Sequence, residues 1–410
     1  MSRNRVVITG MGVLAPNGTG IERFWQTLLS GESGIGPITL FDATGLKSRI
    51  AGEVKGFDPD DYIEPELKPK RMARHTQLAY AAAMMALRDA GLSIDGADLP
   101  SPTPVIVGIS TSAMDIIEGS IKSFGERGSH GMPPSAVAAL TPQAPANLIA
   151  DRIGVRADAS TVSSACPSGL DAIVSAAAMI RSGEAELALA GGSDAPLTRH
   201  TFAAFISTGL SSCRNDEPER ASRPFDLERQ SGVISEGAGM FVLENLERAQ
   251  ARGAKIYLEI TGYARMRDRS PELVASGLAD SMNMALANAR RTPADVDYIS
   301  AYGPGHPVLD AAECRYINEV FGSRAKAVPV NSIKGVTGNP LAAGGPFQIA
   351  ACGLSFRDQV IAPTANYEVP DPECDLDFVA RRPRKAKLNC ILVNVRGIGG
   401  SASSVVVERV

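Results

Sequence analysis

The sequence predicts an α/β protein made of two duplicated halves, stacked as a five-layer αβαβα sandwich. Three observations predict it. Short apolar runs alternate with longer helical stretches, the pattern of mostly parallel, buried strands joined by helices. The opening Ile8-Thr9-Gly10 is echoed where Ile256–Ile260 leads into Thr261-Gly262. The halves also end alike. Glu236-Gly237-Ala238-Gly239 enters Met240–Leu243 and Glu244, and Gly399-Gly400-Ser401-Ala402 enters Val405-Val406-Val407 and Glu408. Matching ends in the same order indicate an internal duplication, with halves at residues 1–252 and 253–410. A chain of 410 residues is also too long for one small core.

Taken in order, Val6–Thr9 reads as a buried strand closed by Gly10 and Gly12. The following loop lacks GxGxxG spacing and runs into Pro16, which argues against a dinucleotide site. A helix is expected near Ile21–Leu29, with Phe24, Leu28 and Leu29 on one face. Arg71–Ala90 reads as a long Ala- and Met-rich helix ended by Gly91. Val105–Ile109 is a strand, Gln143–Ile153 a helix, Glu186–Ala190 a strand ending in Gly191-Gly192, and Met240–Leu243 another strand. The second half has strands at Ile256–Ile260, Val296–Ala301, Val328–Asn331 and Ile391–Val395, with helices near Ser281–Arg290 and Ala311–Phe321. The basic stretch Arg381–Lys387 is short and reads as a solvated loop.

Composition narrows the function. Lys plus Arg number 41 against 45 for Asp plus Glu, a formal charge of −4, so no basic excess points to nucleic acid or an anionic membrane. No apolar stretch reaches the roughly 20 residues of a membrane span. The start lacks an apolar leader, so a cytoplasmic protein with free thiols is expected. The six cysteines include no CxxC pair, so neither a zinc site nor a redox motif is suggested, and no metal or bound cofactor is expected; the histidines number only four, which constrains the mechanism.

Thr161-Val162-Ser163-Ser164-Ala165-Cys166-Pro167-Ser168-Gly169 is the most informative stretch. Small residues run into Cys166, and Pro167 suits the first turn of a helix continuing through Ala172, Ile173 and Ala176–Met179. At a helix N-terminus, free N–H groups and the positive dipole end favour thiolate and can hold an oxyanion. The same residue could also be a packed structural thiol.

Seven motifs together carry a resemblance: Val7-Ile8-Thr9-Gly10-Met11-Gly12, Ser164-Ala165-Cys166, Ala190-Gly191-Gly192-Ser193, Arg223-Pro224-Phe225-Asp226, Ser235-Glu236-Gly237-Ala238-Gly239, Ile333-Lys334-Gly335 and Gly397-Ile398-Gly399-Gly400. Over nearly its whole length the chain resembles the β-ketoacyl-acyl-carrier-protein synthases, of the synthase II and type II polyketide ketosynthase kind. The resemblance implies a thiolase-type fold and an acyl group delivered on the phosphopantetheine arm of acyl carrier protein. It implies that Cys166 is the acyl-accepting nucleophile and that its amide and that of Ile398 form the oxyanion hole. Ile398 stands at the family's gating position, where Phe is usual. Glu313 and Lys334 match the supporting Glu and Lys.

Two departures bear on mechanism. The family's condensing members use two histidines to decarboxylate malonyl thioester; here Tyr302 and Asn339 stand in their places. Pro304 and His306 replace the threonines that usually meet the pantetheine arm. A phenol donates but is a poor base near neutral pH, and an amide only exchanges hydrogen bonds. The lone His306 is either a displaced base or a packing residue. Residues Gly303–Glu313, Ala342–Pro346 and Val360–Thr364 resemble the chain-length factor, the degenerate homologue that pairs with an active ketosynthase. That factor usually lacks the cysteine, which this chain keeps. The resemblance therefore implies a subunit that shapes the channel for, or accepts, an acyl chain carried on acyl carrier protein, and that pairs with a competent ketosynthase, as a heterodimer, or forms a homodimer. The alternative is an independent acyltransferase or synthase using Cys166 with Tyr302 and Asn339.

Overall fold

The computed structural model describes residues 4–154 and 158–410. Among the described residues, five strands of each half share one topology. In the first half, strands Val6–Ala15, Val105–Gly108, Ala159–Val162, Leu187–Asp194 and Gly237–Asn245 arrange so that the second lies between the third and fourth, and the fifth between the fourth and first. In the second half, Leu258–Arg267, Tyr298–Ser300, Pro329–Asn331, Cys390–Arg396 and Ser401–Glu408 repeat that order. In both, the second strand runs parallel to its two neighbours and the fifth runs antiparallel to its own. The halves meet where Val7 and Ile8 pair with Glu259 and Leu258.

Helices fill the layers around these sheets. Arg74–Asp89 and Ala144–Ile153 cover the outside of the first, and Ser276–Ala289 and Pro307–Phe321 the outside of the second. Between the sheets lie Ser168–Ser182 and Gly344–Asp358, giving the five layers of a thiolase-type fold. Alternate strand residues face opposite layers, as a pleat requires. Phe241 and Leu243 enter the central core, while Met240 and Val242 face the outer helices of the first half. Val405 and Val407 likewise face inward and Val406 outward.

The glycines expected to close the first strand do not close it. The strand runs on to Ala15 because Gly10 and Gly12 let an outer helix approach. A Cβ at Gly10 would stand 2.2 Å from the Ala86 carbonyl oxygen, and one at Gly12 1.9 Å from that of Ala82. Gly262 repeats the contact in the second half, 2.2 Å from the Ala285 oxygen. Gly191 and Gly192 likewise lie inside Leu187–Asp194 rather than at its end. The central helices also meet through glycines: a Cβ at Gly169 would strike the Ala342 oxygen, and one at Gly345 the Leu170 side chain.

Other differences are local. The helix expected from Arg71 begins at Arg74, after a single turn at Pro69–Arg71. Arg384–Lys385, read as loop, pairs with Val360–Ile361, although the stretch stays largely solvated. Helix Gly344–Asp358 was not anticipated; every residue from Gly344 to Phe356 is buried, so it shows no amphipathic period. Helices Met114–Arg127 and Arg199–Ser207 were also not anticipated.

Candidate active site

The site is built on loops at the carboxyl ends of parallel strands, where open α/β sheets place their ligands. After Ala159–Val162 the chain turns sharply. Ala165 sits at φ 64°, a left-handed conformation costly for a residue with a Cβ, and Cys166 follows immediately before the helix cap Pro167. Hydrogen bonds hold this elbow. The Ser164 amide donates to Ser168 Oγ at 2.8 Å. Asp171 accepts from Ser164 Oγ at 2.6 Å and from Ser403 Oγ at 2.7 Å, tying the turn of Cys166 to the last strand. The expected placement of Cys166 at a helix start is observed.

The second half supplies the facing groups. Tyr302 follows strand Tyr298–Ser300, and its hydroxyl donates to Cys166 Sγ at 3.7 Å. Glu313 fixes the Tyr302 loop by accepting the Tyr302 amide at 2.9 Å and the Gly303 amide at 2.8 Å. Lys334 donates from Nζ to the Tyr302 carbonyl at 2.6 Å and stands 4.5 Å from the centre of its ring. Asn339 is held by its backbone: its amide donates to the Val233 carbonyl at 2.7 Å, and its carbonyl accepts from Ser235 at 3.1 Å. Its side-chain Oδ1 is buried with no partner.

Cys166, Tyr302, Asn339, His306 and Ile398 all line one cavity of about 30 Å³, room for a water or two. Glu313 and Lys334 stand behind it, holding Tyr302 in place. The Ile398 side chain is 57% exposed, and its amide faces the Cys166 sulfur. The next two glycines, both at φ 85°, give the loop a path that a side chain would resist. His306 lines the cavity but caps helix Pro307–Phe321. Its Nδ1 accepts from the Val308 amide at 3.2 Å and the Leu309 amide at 3.4 Å. That bonding requires a proton on Nε2, so in this state the ring offers the cavity a donor rather than a base.

Burial changes the expected electrostatics. The helix start was expected to lower the thiol of Cys166; burial instead pushes it up. The Tyr302 hydroxyl, the Lys334 charge and the Ile398 amide pull it back, and the Asp194 charge opposes them. Burial holds Tyr302 well above the ordinary phenol range, so it keeps its proton. Burial also pulls Lys334 down to about 8, resisted by Glu313 and the thiol.

Two further residues belong to the site and were not singled out from sequence. Asp194 is buried at the end of its strand. It accepts from the amides of Ser110, Thr111 and Ala342 and from Thr111 Oγ1, bracing the two halves beside Cys166. Arg396 lines the cavity directly. The available signal was its position, a lone charge between the apolar run Ile391–Val395 and the Gly-rich loop. Among the described residues no cluster of His, Cys, Asp and Glu could hold a metal, and no helix is long and apolar enough to cross a membrane.

Comparison with known proteins agrees with this architecture. The tetracenomycin polyketide synthase ketoacyl synthase alpha subunit of Streptomyces glaucescens is 38% identical over 424 residues, covering 100% of this chain and 98% of that protein. The ishigamide ketosynthase/chain length factor superposes with a TM-score of 0.92 at 33% identity, covering 100% of both chains. A type II PKS acyl-carrier protein in complex with its ketosynthase, bound to the hexaketide, contains a chain that superposes with a TM-score of 0.91 at 31% identity, again over 100% of both chains. Residues 3–249 match the beta-ketoacyl synthase N-terminal domain and residues 257–368 the C-terminal domain, so the chain belongs to the beta-ketoacyl synthase family.

Proposed function

We propose that the protein is a ketosynthase-family subunit of a type II polyketide or fatty-acid assembly system, chain-length-factor-like in its chemistry. It takes an acyl group from the phosphopantetheine arm of acyl carrier protein onto Cys166 and pairs with a competent ketosynthase in the cytoplasm. One observation carries the reading: the group touching the thiol is the Tyr302 hydroxyl, a donor that keeps its proton, and no imidazole stands there. Acylation requires a nucleophile and oxyanion donors, roles we assign to Cys166 and to the amides of Cys166 and Ile398. Decarboxylative condensation requires more. Replacing a general acid–base group typically costs about 10²–10⁴ in rate, and two such groups are replaced here. We take Glu313 and Lys334 as positioning residues for Tyr302, and the seam between the halves at Arg252–Gly253.

A second reading, an independent acyltransferase or synthase, is favoured by the intact elbow around Cys166. Two experiments separate them. Co-expression with a ketosynthase carrying an intact Cys-His-His set should give a stable heterodimer by size exclusion. Isolated protein should release carbon dioxide from malonyl carrier far more slowly than that ketosynthase. A stable homodimer with full condensing turnover would establish the second reading instead.

A further inference from the structure

Arg396 is the one charged side chain among the described residues lining the cavity above Cys166. It ends strand Cys390–Arg396, and its side chain is 11% exposed. Nη2 pairs with Asp268 at 2.6 Å, while Nε is buried and has no partner. Asp268 does not belong to Arg396 alone. Its two oxygens also accept the Ala275 amide at 3.1 Å and the Gly277 amide at 3.0 Å, so its negative charge is shared. A buried N–H left without an acceptor costs stability and normally finds a partner. The Arg396 charge reaches the interior, where it acts on both Tyr302 and His306. Among the described residues no carboxylate lines the cavity itself, and Phe205, Leu210, Ile234 and Leu341 make much of the remaining wall apolar.

We propose that Arg396 forms a carboxylate-binding subsite beside Cys166, so that the acyl group loaded there is a short one bearing a free carboxylate, kept intact. This rests on the reading of Cys166 as acyl acceptor. A guanidinium and a carboxylate form a charge-assisted hydrogen bond, strongest where water is excluded. Loss of carbon dioxide would move the negative charge away from Arg396, so the contact stabilises the carboxylate more than the transition state for its departure. The loading step is a plain thioester exchange. Cys166 Sγ bonds to the carbonyl carbon, the carbon–sulfur bond to pantetheine breaks, and the departing thiol takes up the proton that Cys166 gives up. No carbon–carbon bond breaks.

The test uses malonyl-pantetheine and its neutral isostere isovaleryl-pantetheine, with intact-protein mass spectrometry of the full chain. Wild type should load malonyl at least about tenfold faster, the size of one charge-assisted contact, and should show the adduct with its carboxylate retained. Arg396→Gln should bring the two rates together, and Arg396→Lys should keep part of the preference. An unchanged ratio in Arg396→Gln, or an adduct that has lost carbon dioxide, overturns the subsite. Loading of isovaleryl without preference for malonyl sinks the subsite and leaves the acyl-acceptor reading standing. If neither donor loads, the acyl-acceptor reading fails, and calorimetry with the non-transferable malonyl-pantetheine amide decides the subsite. Binding weakened about tenfold by Arg396→Gln supports it, and equal binding by both proteins overturns it. Because Arg396→Gln leaves Asp268 without its cation, the double variant Arg396→Gln/Asp268→Asn provides the folded control, and it should lose the preference as the single variant does.

Discussion

The two halves share one strand order and one way of seating an outer helix, yet they carry different chemistry. After its third strand the first half makes a strained elbow and presents Cys166; after its third strand the second half presents Lys334 and Asn339. In the first half the buried carboxylate of Asp194 is fully used by the donors of Ser110, Thr111 and Ala342. In the second half Asn339 and Arg396 each keep a buried polar atom without a partner at the cavity. Duplication supplied the frame twice, and the loops then diverged. One half braces Cys166, and the other supplies the groups that face it.

The largest expected effect comes from reversing that divergence. Tyr302→His with Asn339→His should raise release of carbon dioxide from malonyl carrier by about 10² or more, since each restored general acid–base group is worth 10²–10⁴. Radiolabelled carbon dioxide reports it, and a double variant no faster than wild type would place the block elsewhere in the second half.

The frame itself can be compared glycine by glycine. Gly169→Ala drives a Cβ to within 2.2 Å of the Ala342 carbonyl oxygen and should cost about 3 kcal/mol. Gly345→Ala meets the Leu170 Cβ at 2.7 Å, an atom that the backbone holds in place, and should cost about 2 kcal/mol. Gly10→Ala and Gly262→Ala meet carbonyls at the same 2.2 Å and should cost equal amounts. Denaturant unfolding measures all four, and unequal losses at Gly10 and Gly262 would break the equivalence of the halves.

Lys334 gives a smaller, pH-dependent effect. Burial pulls it from 10.5 down to about 8. Between those values the unfolded chain holds a proton that the folded chain has released, so this group makes stability rise with pH across that window. Wild type should therefore gain stability relative to Lys334→Met as pH rises from about 8 to about 10. A difference independent of pH would show that Lys334 keeps its ordinary affinity for the proton. Smallest of all, Ile398→Phe should slow acyl loading by less than about tenfold, because the exposed side chain can gate entry while its amide stays in place.

Much of this was legible in the sequence. Ile8-Thr9-Gly10 and its echo at Gly262 showed the duplication because close packing on a helix demands glycine at the same point of each half. Cys166 stood out because Pro167 and the small residues before it make a turn into a helix. What stayed hidden depends on neighbours distant in the chain. Helix Gly344–Asp358 is buried on all sides and shows no period. The dipole argument for Cys166 read the helix start correctly, but its burial against Tyr302 and Leu341 comes from the other half. Arg396 drew no reading from the sequence, because only the folded loops bring it to the same cavity as Tyr302 and Asn339.

Intact-protein mass spectrometry of wild type and Cys166→Ala, each with an acyl-carrier donor and the partner ketosynthase present, tests the central claim most directly. A single acyl adduct on wild type and none on Cys166→Ala is the predicted result. No adduct on wild type, or an equal adduct on both proteins, would contradict the claim that this elbow accepts an acyl group.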